Sequence, residues 1–194
     1  MIEFLAEKIT EYFLAKNIIL SENKAIYKYG AEITISSLVG YILILMIGIV
    51  THSFLNSIIF LLCFSSIRIF SGGYHADTYL KCNAKFVLLY FAIIGAEKIF
   101  PIKIAMYVGV LMVITSVLIM LILSPIENKN KPLTLEEKKE YRKKSIFLLI
   151  FWVLIGLVLL ALDIKIWLII FLTVFSIAIS MVAEKIIKNK RKVR

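Results

Sequence analysis

The chain has 194 residues, of which 61% are hydrophobic, and its mean hydropathy is +0.93. Soluble globular domains contain about 45–50% apolar residues, so this composition excludes an ordinary soluble domain and indicates a membrane protein. The net charge is +10, but aromatic residues do not alternate with Lys or Arg as they do on nucleic-acid-binding surfaces. We therefore expect no nucleic acid partner, and we attribute the charge to membrane topology and to attraction for anionic lipid.

Residues 1–30 are predicted to form an amphipathic segment at the membrane interface. Ile2, Leu5, Ile9 and Phe13 recur with helical spacing, while charged residues occupy the other positions. This segment is too charged to cross a bilayer, and it lacks the uninterrupted apolar stretch of a secretory signal.

Six apolar runs follow within residues 31–184, and each is close to the roughly 20 residues that one membrane crossing needs. A segment in lipid must satisfy its own backbone hydrogen bonds, so helices are expected, and the alternating segments of a membrane barrel are missing. The predicted fold is an all-α integral membrane protein with an N-terminal amphipathic interfacial helix plus six transmembrane helices. The runs are Ala31–Val50, Phe54–Phe70, Ala84–Ile99, Ile102–Leu123, Ile146–Leu162 and Ile166–Ala183.

The distribution of basic residues predicts the orientation. If the amino terminus is inside the cell, 20 of the 23 Lys and Arg residues fall on the inner side. Only Lys98, Lys103 and Lys165 fall outside. Since basic residues concentrate in cytoplasmic loops, this predicts cytoplasmic termini, a basic cytoplasmic loop at 124–145 and a basic cytoplasmic tail at 185–194.

The polar break at 71–83, also predicted to be cytoplasmic, contains His75 and Cys82. A neighbouring imidazole stabilises the thiolate that makes a cysteine nucleophilic. On a straight helix these two residues would be about 10 Å apart along the axis, so they can meet only if the chain bends. Gly72 and Gly73 permit such a bend. A His and a Cys share a loop often by chance, so an ordinary connecting loop stays an alternative.

Two charged residues lie at similar depth near the cytoplasmic ends of the first two runs. Glu32 and Arg68 occupy positions where a charge is seldom found without a reason. We expect them to pair, as a structural clamp or facing a substrate; alternatively Arg68 extends to lipid phosphates. Asp77 is the nearest acid to His75, but we interpret it as a polar loop residue rather than one that orients the imidazole.

The remaining chemically distinctive residues point to structural roles. Cys63 lies within an apolar run and is predicted to be an inert buried thiol. His52 falls in a short turn on the outer side. This inventory supplies neither a disulfide framework nor a tetrahedral zinc site, so no metal or cofactor is expected. In the central basic loop, Thr134 followed by Glu137 fits the N-cap of a short cytoplasmic helix, but a solvated loop that obeys the positive-inside rule is the favoured interpretation.

The break and its surroundings resemble a known family. The run Arg-x-x-x-Gly-Gly-Tyr-His-Ala at 68–76, followed by Cys82, is similar to the active-site stretch of the accessory gene regulator protein B (AgrB) family. Tyr27–Glu32 resembles the family's approach to its first span, and Pro125–Leu133 resembles its central loop. The likeness extends over essentially the whole chain.

The resemblance implies a bacterial membrane cysteine endopeptidase that processes a quorum-sensing pro-peptide. Cys82 would be the nucleophile and His75 its base, and Arg68 and Gly73 match positions that the family needs for activity. The thiol would attack the scissile carbonyl, leaving the precursor as a thioester on the enzyme. A cysteine or serine of the precursor would then attack the thioester and close a thiolactone or lactone ring. Arg68 and Gly73 are thus expected to be supporting residues, together with Gly72 of the glycine pair and Glu32, the expected partner of Arg68.

The same resemblance implies the partners: a small amphipathic precursor with an acidic C-terminal tail, the cell membrane and a second copy in a homodimer. A site at membrane depth can exclude water while the ring closes. The basic segments at 138–144 and 185–194 are hypothesised to attract the acidic tail, although membrane topology alone accounts for them.

Two other classes of function are weighed against the peptidase. A small membrane transporter would be expected to show repeated halves or broken helices with charges at the membrane midplane, and this sequence shows neither. A non-catalytic membrane assembly protein would not need Cys82.

Overall fold

The computed structural model describes residues 1–73, 78–127 and 133–193, with side chains as far as Lys190. In these ranges the chain forms seven α-helices and a short 3-10 turn at Ser21–Asn23. Helices α2 to α7 are each long and apolar enough to cross a membrane, so the all-α fold and the six spans are confirmed. The helices are α1 (Ile2–Ala15), α2 (Lys24–Val50), α3 (Phe54–Ser71), α4 (Tyr79–Ile99), α5 (Ile102–Leu123), α6 (Leu135–Ala161) and α7 (Trp167–Val193).

Several helices are longer than the apolar runs that predicted them. Helix α2 begins at Lys24 rather than Ala31, and α7 continues to Val193, through most of the predicted tail. Thr134 does cap a helix, with a capping box to Glu137, but this helix is α6 itself and not a short separate one. Hydropathy marks only the part of a helix that lipid surrounds, whereas good helix formers such as Glu and Lys continue it into water.

Helix α7 is the central helix of the bundle. Within its span 56% of the residues are buried, compared with 17–33% in the spans of the other five. Trp167, Phe171, Val174 and Ala178 recur at helical spacing and are fully buried against α3, α5 and α6. A helix that is apolar on nearly all sides is expected at the centre of such an assembly.

A second cluster joins α2, α3 and α4. The rings of Phe60 and Tyr90 lie 5.0 Å apart, and both side chains are fully buried. The Tyr90 hydroxyl also forms a hydrogen bond with Ser57 of α3, which satisfies its buried polar atom. This cluster fixes α4, the helix that carries Cys82, against its neighbours.

Helix α1 packs along the beginning of α2. Ala6 and Thr10 are buried at this contact, and the Glu7 carboxylate forms ion pairs with Lys28 and Lys24 of α2. These lysines, with Lys28 the stronger, lower the pKa of Glu7 to about 2. Of the four apolar side chains predicted to face the membrane interface, Leu5 and Ile9 are exposed, and Ile2 and Phe13 are half-buried.

The two ends of the bundle carry different connections between the helices. One end, which we call the Cys82 side, carries α1, the α3–α4 connection, the α5–α6 connection and the end of α7. At the other end, Glu97 forms an ion pair with Lys165 at 3.2 Å, and Lys98 donates to the carbonyl of Thr51 at 3.1 Å. These contacts connect α4 to the α2–α3 and α6–α7 turns.

Candidate active site

The glycine pair ends α3 in a turn that pairs with the α5–α6 connection. Gly72 and Gly73 have φ values of +69° and +130°, which side chains rarely tolerate. Gly72 forms an isolated parallel β-bridge with Ile126, and the Ile126 amide donates to the Ser71 carbonyl at 2.9 Å. A β-carbon on Gly72 would overlap the Ile126 carbonyl. The chain therefore turns at Gly72 and Gly73, and this turn is held against the segment that follows α5.

Arg68 joins this turn to the central helix. Its Nη1 donates to the Gly72 carbonyl at 2.6 Å and to the Ser180 hydroxyl of α7 at 2.8 Å. The guanidinium also interacts electrostatically with Cys82 and Glu184. The half-buried cation is therefore fixed between α3, α7 and the glycine turn.

Cys82 lies in the first turn of α4 and not in a loop. The predicted break at 71–83 is too long, because α3 extends to Ser71 and α4 already begins at Tyr79. Thr78 caps the helix: its hydroxyl accepts from the Lys81 amide at 3.3 Å, and its carbonyl accepts from the Cys82 amide at 3.0 Å. The thiol is half-buried. The first turn of a helix favours negative charge, in agreement with a nucleophilic role.

The predicted base, His75, and the neighbouring Asp77 lie outside the described residues. The distance from the imidazole to the Cys82 sulfur is therefore still a prediction. The described residues on either side of this segment are Gly73, two residues after the end of α3, and Thr78, the N-cap of α4.

The predicted ion pair between Glu32 and Arg68 is not formed. Glu32 accepts a hydrogen bond from the Tyr79 hydroxyl at 2.6 Å, whereas Arg68 turns toward Ser180 and the glycine turn. The prediction considered depth in the membrane but not the rotation of each helix about its axis. Glu32 is on the side of α2 that meets α4, and Arg68 is on the side of α3 that meets α7.

The other cysteine and histidine occupy the places expected of them. Cys63 is fully buried in the core cluster around α7. His52 lies in the α2–α3 turn, at the opposite end of the bundle from Cys82. Within 1–73, 78–127 and 133–190, no three His, Cys, Asp or Glu side chains come together as a metal ion would require.

Glu127 organises the connection between α5 and α6. Its carboxylate forms an ion pair with Lys138 at 2.9 Å and accepts the Leu133 amide at 3.1 Å. Its backbone carbonyl accepts from Lys188 of α7. The pKa of Glu127 is lowered, mainly by the hydrogen bond from Lys138. Because Ile126 pairs with Gly72, this network also supports the glycine turn.

Three residues of this site were missed by the sequence analysis. Tyr79 lies three positions before Cys82, a spacing that would have suggested a shared helix face if the start of α4 had been placed correctly. Ser180 and Ile126 are distant in sequence from the break, and no local pattern identifies them.

Comparisons with known proteins identify relatives of this chain. The chain is 28% identical over 150 residues to an AgrB-like protein of Clostridium perfringens strain SM101, covering 75% of this chain and 70% of that protein. It is 27% identical, with the same coverage, to AgrB-like protein 2 of Clostridium perfringens strain 13. No solved structure matches the chain. The sequence pattern of the family described as Accessory gene regulator B matches residues 6–182, and the chain therefore belongs to the accessory gene regulator B family.

Proposed function

We propose that this protein is a membrane cysteine endopeptidase that removes the C-terminal tail of a small amphipathic pro-peptide and promotes its cyclisation. Family membership supports a role in accessory gene regulator quorum sensing. The observation that carries the proposal is the half-buried thiol of Cys82, in the first turn of α4 and within electrostatic reach of the fixed Arg68 guanidinium.

The first half of the reaction forms an acyl-enzyme. His75 takes the proton of Cys82, and the sulfur attacks the scissile carbonyl carbon. A carbon–sulfur bond forms while the peptide carbon–nitrogen bond breaks. The tail leaves with a new amino terminus, which receives the proton from His75. The rest of the precursor stays on the enzyme as a thioester.

The second half closes the ring. A cysteine or serine side chain of the precursor attacks the thioester carbonyl and gives its proton to His75. The carbon–sulfur bond to Cys82 breaks, and the thiolate takes that proton back. The product is a thiolactone or a lactone, and the enzyme returns to its starting state. Water would compete with this attack. A site at the depth of the bilayer excludes water and therefore favours cyclisation over hydrolysis.

Arg68 contributes a fixed positive charge to both halves. Its hydrogen bonds to the Gly72 carbonyl and the Ser180 hydroxyl hold the guanidinium in place before any substrate arrives. A charge that is already oriented costs no reorganisation when negative charge develops nearby. Arg68 therefore stabilises the thiolate and also fixes the glycine turn that leads to His75.

The proposal includes the location and the partners. The active site and both termini face the cytoplasm, where an amphipathic precursor on the inner leaflet would be concentrated next to the Cys82 side. The basic residues of this side attract the anionic bilayer surface and the acidic tail of the precursor. The enzyme acts as a homodimer.

The test is substitution of the proposed nucleophile and base. With the precursor co-expressed and its mass followed, Cys82→Ala and His75→Ala are expected to leave the precursor uncut, because no acyl-enzyme can form. Cys63→Ala is the matched control, since it removes a buried thiol far from the turn. Continued cleavage by Cys82→Ala would refute the peptidase and favour a transporter or an assembly protein.

A further inference from the structure

The hydrogen bond between Tyr79 and Glu32 joins two helices directly beside the candidate nucleophile. The Tyr79 hydroxyl donates to Glu32 Oε2 at 2.6 Å, and both side chains are half-buried between α4 and α2. A hydrogen bond to a carboxylate is about twice as strong as one between neutral groups. This hydrogen bond is therefore expected to hold the beginning of α4 against α2.

The position of Tyr79 on α4 gives this bond its significance. Tyr79 is the first residue of the helix, and Cys82 lies three residues later, on the same face. The first turn of a helix lacks part of its internal hydrogen bonding and unravels easily. Here the side-chain cap by Thr78 is long, at 3.3 Å. A side-chain bond from this turn to a neighbouring helix therefore decides how well the turn is fixed.

The contact between α2 and α4 continues beyond the first turn. The Ser36 hydroxyl lies 3.5 Å from the Asn83 side-chain oxygen, at the limit of a hydrogen bond. Gly40 allows α2 to approach Phe86 closely, because a β-carbon there would lie 3.2 Å from the ring. The closest polar contact of the series is the one at Tyr79, at the end where the thiol lies.

We infer that Tyr79 is a positioning residue for Cys82 and that it acts through Glu32. The bond holds the first turn of α4 against α2, so that the sulfur stays within reach of Arg68 and of the substrate carbonyl. The inference rests on the proposed function, since it concerns the geometry of that nucleophile. A displacement of about 1 Å at a reacting atom can reduce a rate by a factor of about one hundred.

The experiment compares two tyrosines of the same helix in the full-length protein in membranes, with purified precursor as substrate. Tyr79→Phe removes only the hydroxyl and is expected to lower kcat about tenfold while KM stays within about twofold, because substrate binding is not touched. Tyr90→Phe is the matched control: it also removes an interhelical hydrogen bond of α4, to Ser57, but lies 11 residues further along. It is expected to cleave at the wild-type rate per folded protein.

A double-mutant cycle tests whether Glu32 is the partner. Glu32→Ala is expected to lower kcat as Tyr79→Phe does, and the double variant is expected to lose no more than the worse single variant. Glu32→Gln keeps an acceptor oxygen and is expected to restore most of the rate.

The results that overturn the inference differ from those that overturn the peptidase. A Tyr79→Phe variant that cleaves at the wild-type rate, a loss confined to KM or equal in Tyr90→Phe, or additive losses in the cycle would each refute the positioning role. The proposed function would fail separately, through cleavage by Cys82→Ala measured in the same assay.

Discussion

At Gly73 the backbone has a φ of +130°, and the guanidinium of Arg68 lies where a side chain would begin. A β-carbon there would overlap Nη1 of Arg68 and come within 2.8 Å of the Ser180 hydroxyl. Replacement would therefore impose both an unfavourable backbone conformation and the displacement of the arginine. The requirement for glycine comes as much from this close contact as from the bend.

Gly73→Ala is expected to reduce precursor cleavage by about a hundredfold, since the strained backbone alone costs about 1–3 kcal/mol and Arg68 must also move. Gly95→Ala serves as the matched control. Gly95 lies near the end of α4, and an added β-carbon there would meet open space. The measurement is the cleavage rate at equal membrane abundance. Similar rates for the two variants would show that the contact with Arg68 does not matter.

The residue-scale predictions succeeded where a property is local. The need for glycine at 72–73 and the burial of Cys63 follow from neighbouring sequence, and the structure agrees. The Glu32–Arg68 pair failed because partners across helices depend on how each helix is rotated. Hydropathy reports the depth of a residue but not the direction in which it points.

Ile126 and Glu127, which follow α5, hold the glycine turn in place. Ile126 pairs with Gly72, and Glu127 connects the same segment to Lys138 of α6 and Lys188 of α7. Both side chains of the Glu127–Lys138 pair are partly exposed, at 32% and 40%. Because solvent screens such pairs, its contribution to stability is at most about 1 kcal/mol.

The contribution of the Glu127–Lys138 pair to stability depends on pH, because the pKa of Glu127 is lowered. In the unfolded chain a Glu has a pKa of about 4.3, so the ionised carboxylate adds stability above that pH. The contribution is lost as the pH falls through the lowered pKa of the folded state. The melting temperatures of wild type and Glu127→Gln in detergent are therefore expected to differ at neutral pH and to converge only in acid below the lowered pKa of the folded state.

The control for this measurement is Glu136→Gln, which removes an exposed carboxylate of α6 with no ion pair in the part of the chain that the structure describes. It is expected to change the melting temperature little at any pH. A gap between wild type and Glu127→Gln that persists in acid would contradict the assigned cause.

The helices themselves were predictable, but their ends were not. The six apolar runs identify six spans because about 20 apolar residues are needed to cross a bilayer. The beginnings of α2, α4 and α6 lie in polar sequence, where a helix and a loop look alike by hydropathy. Placing Cys82 in a loop was a consequence: Thr78 gives a weak cap, with no acidic residue in the first turn to mark it.

The charge distribution of the whole molecule predicts its orientation in the membrane. By position in the sequence, 20 of the 23 basic residues belong to the termini and connections on the Cys82 side, and Lys98, Lys103 and Lys165 belong to the connections on the opposite side. Two of these three form contacts within the bundle: Lys165 with Glu97, and Lys98 with the Thr51 carbonyl. The positive-inside rule then predicts that the Cys82 side faces the cytoplasm.

Fusions with alkaline phosphatase, which is active only outside the cytoplasm, test this orientation. A fusion after Asp163, in the α6–α7 turn, is expected to be active, and one after Arg194 is expected to be inactive. A fluorescent protein at the same two points is the complementary control and should give the reverse pattern. An active phosphatase after Arg194 would reverse the assigned topology.

The unequal burial of the two cysteines gives the whole molecule a built-in reporter of its folding. Cys63 is enclosed in the core around α7, while Cys82 is half-buried at one end of the bundle. A thiol reagent thus finds one site in the native protein and two in the unfolded chain. Counting the modified sites by mass distinguishes a misfolded variant from a folded but inactive one, and it requires neither the precursor nor a partner protein.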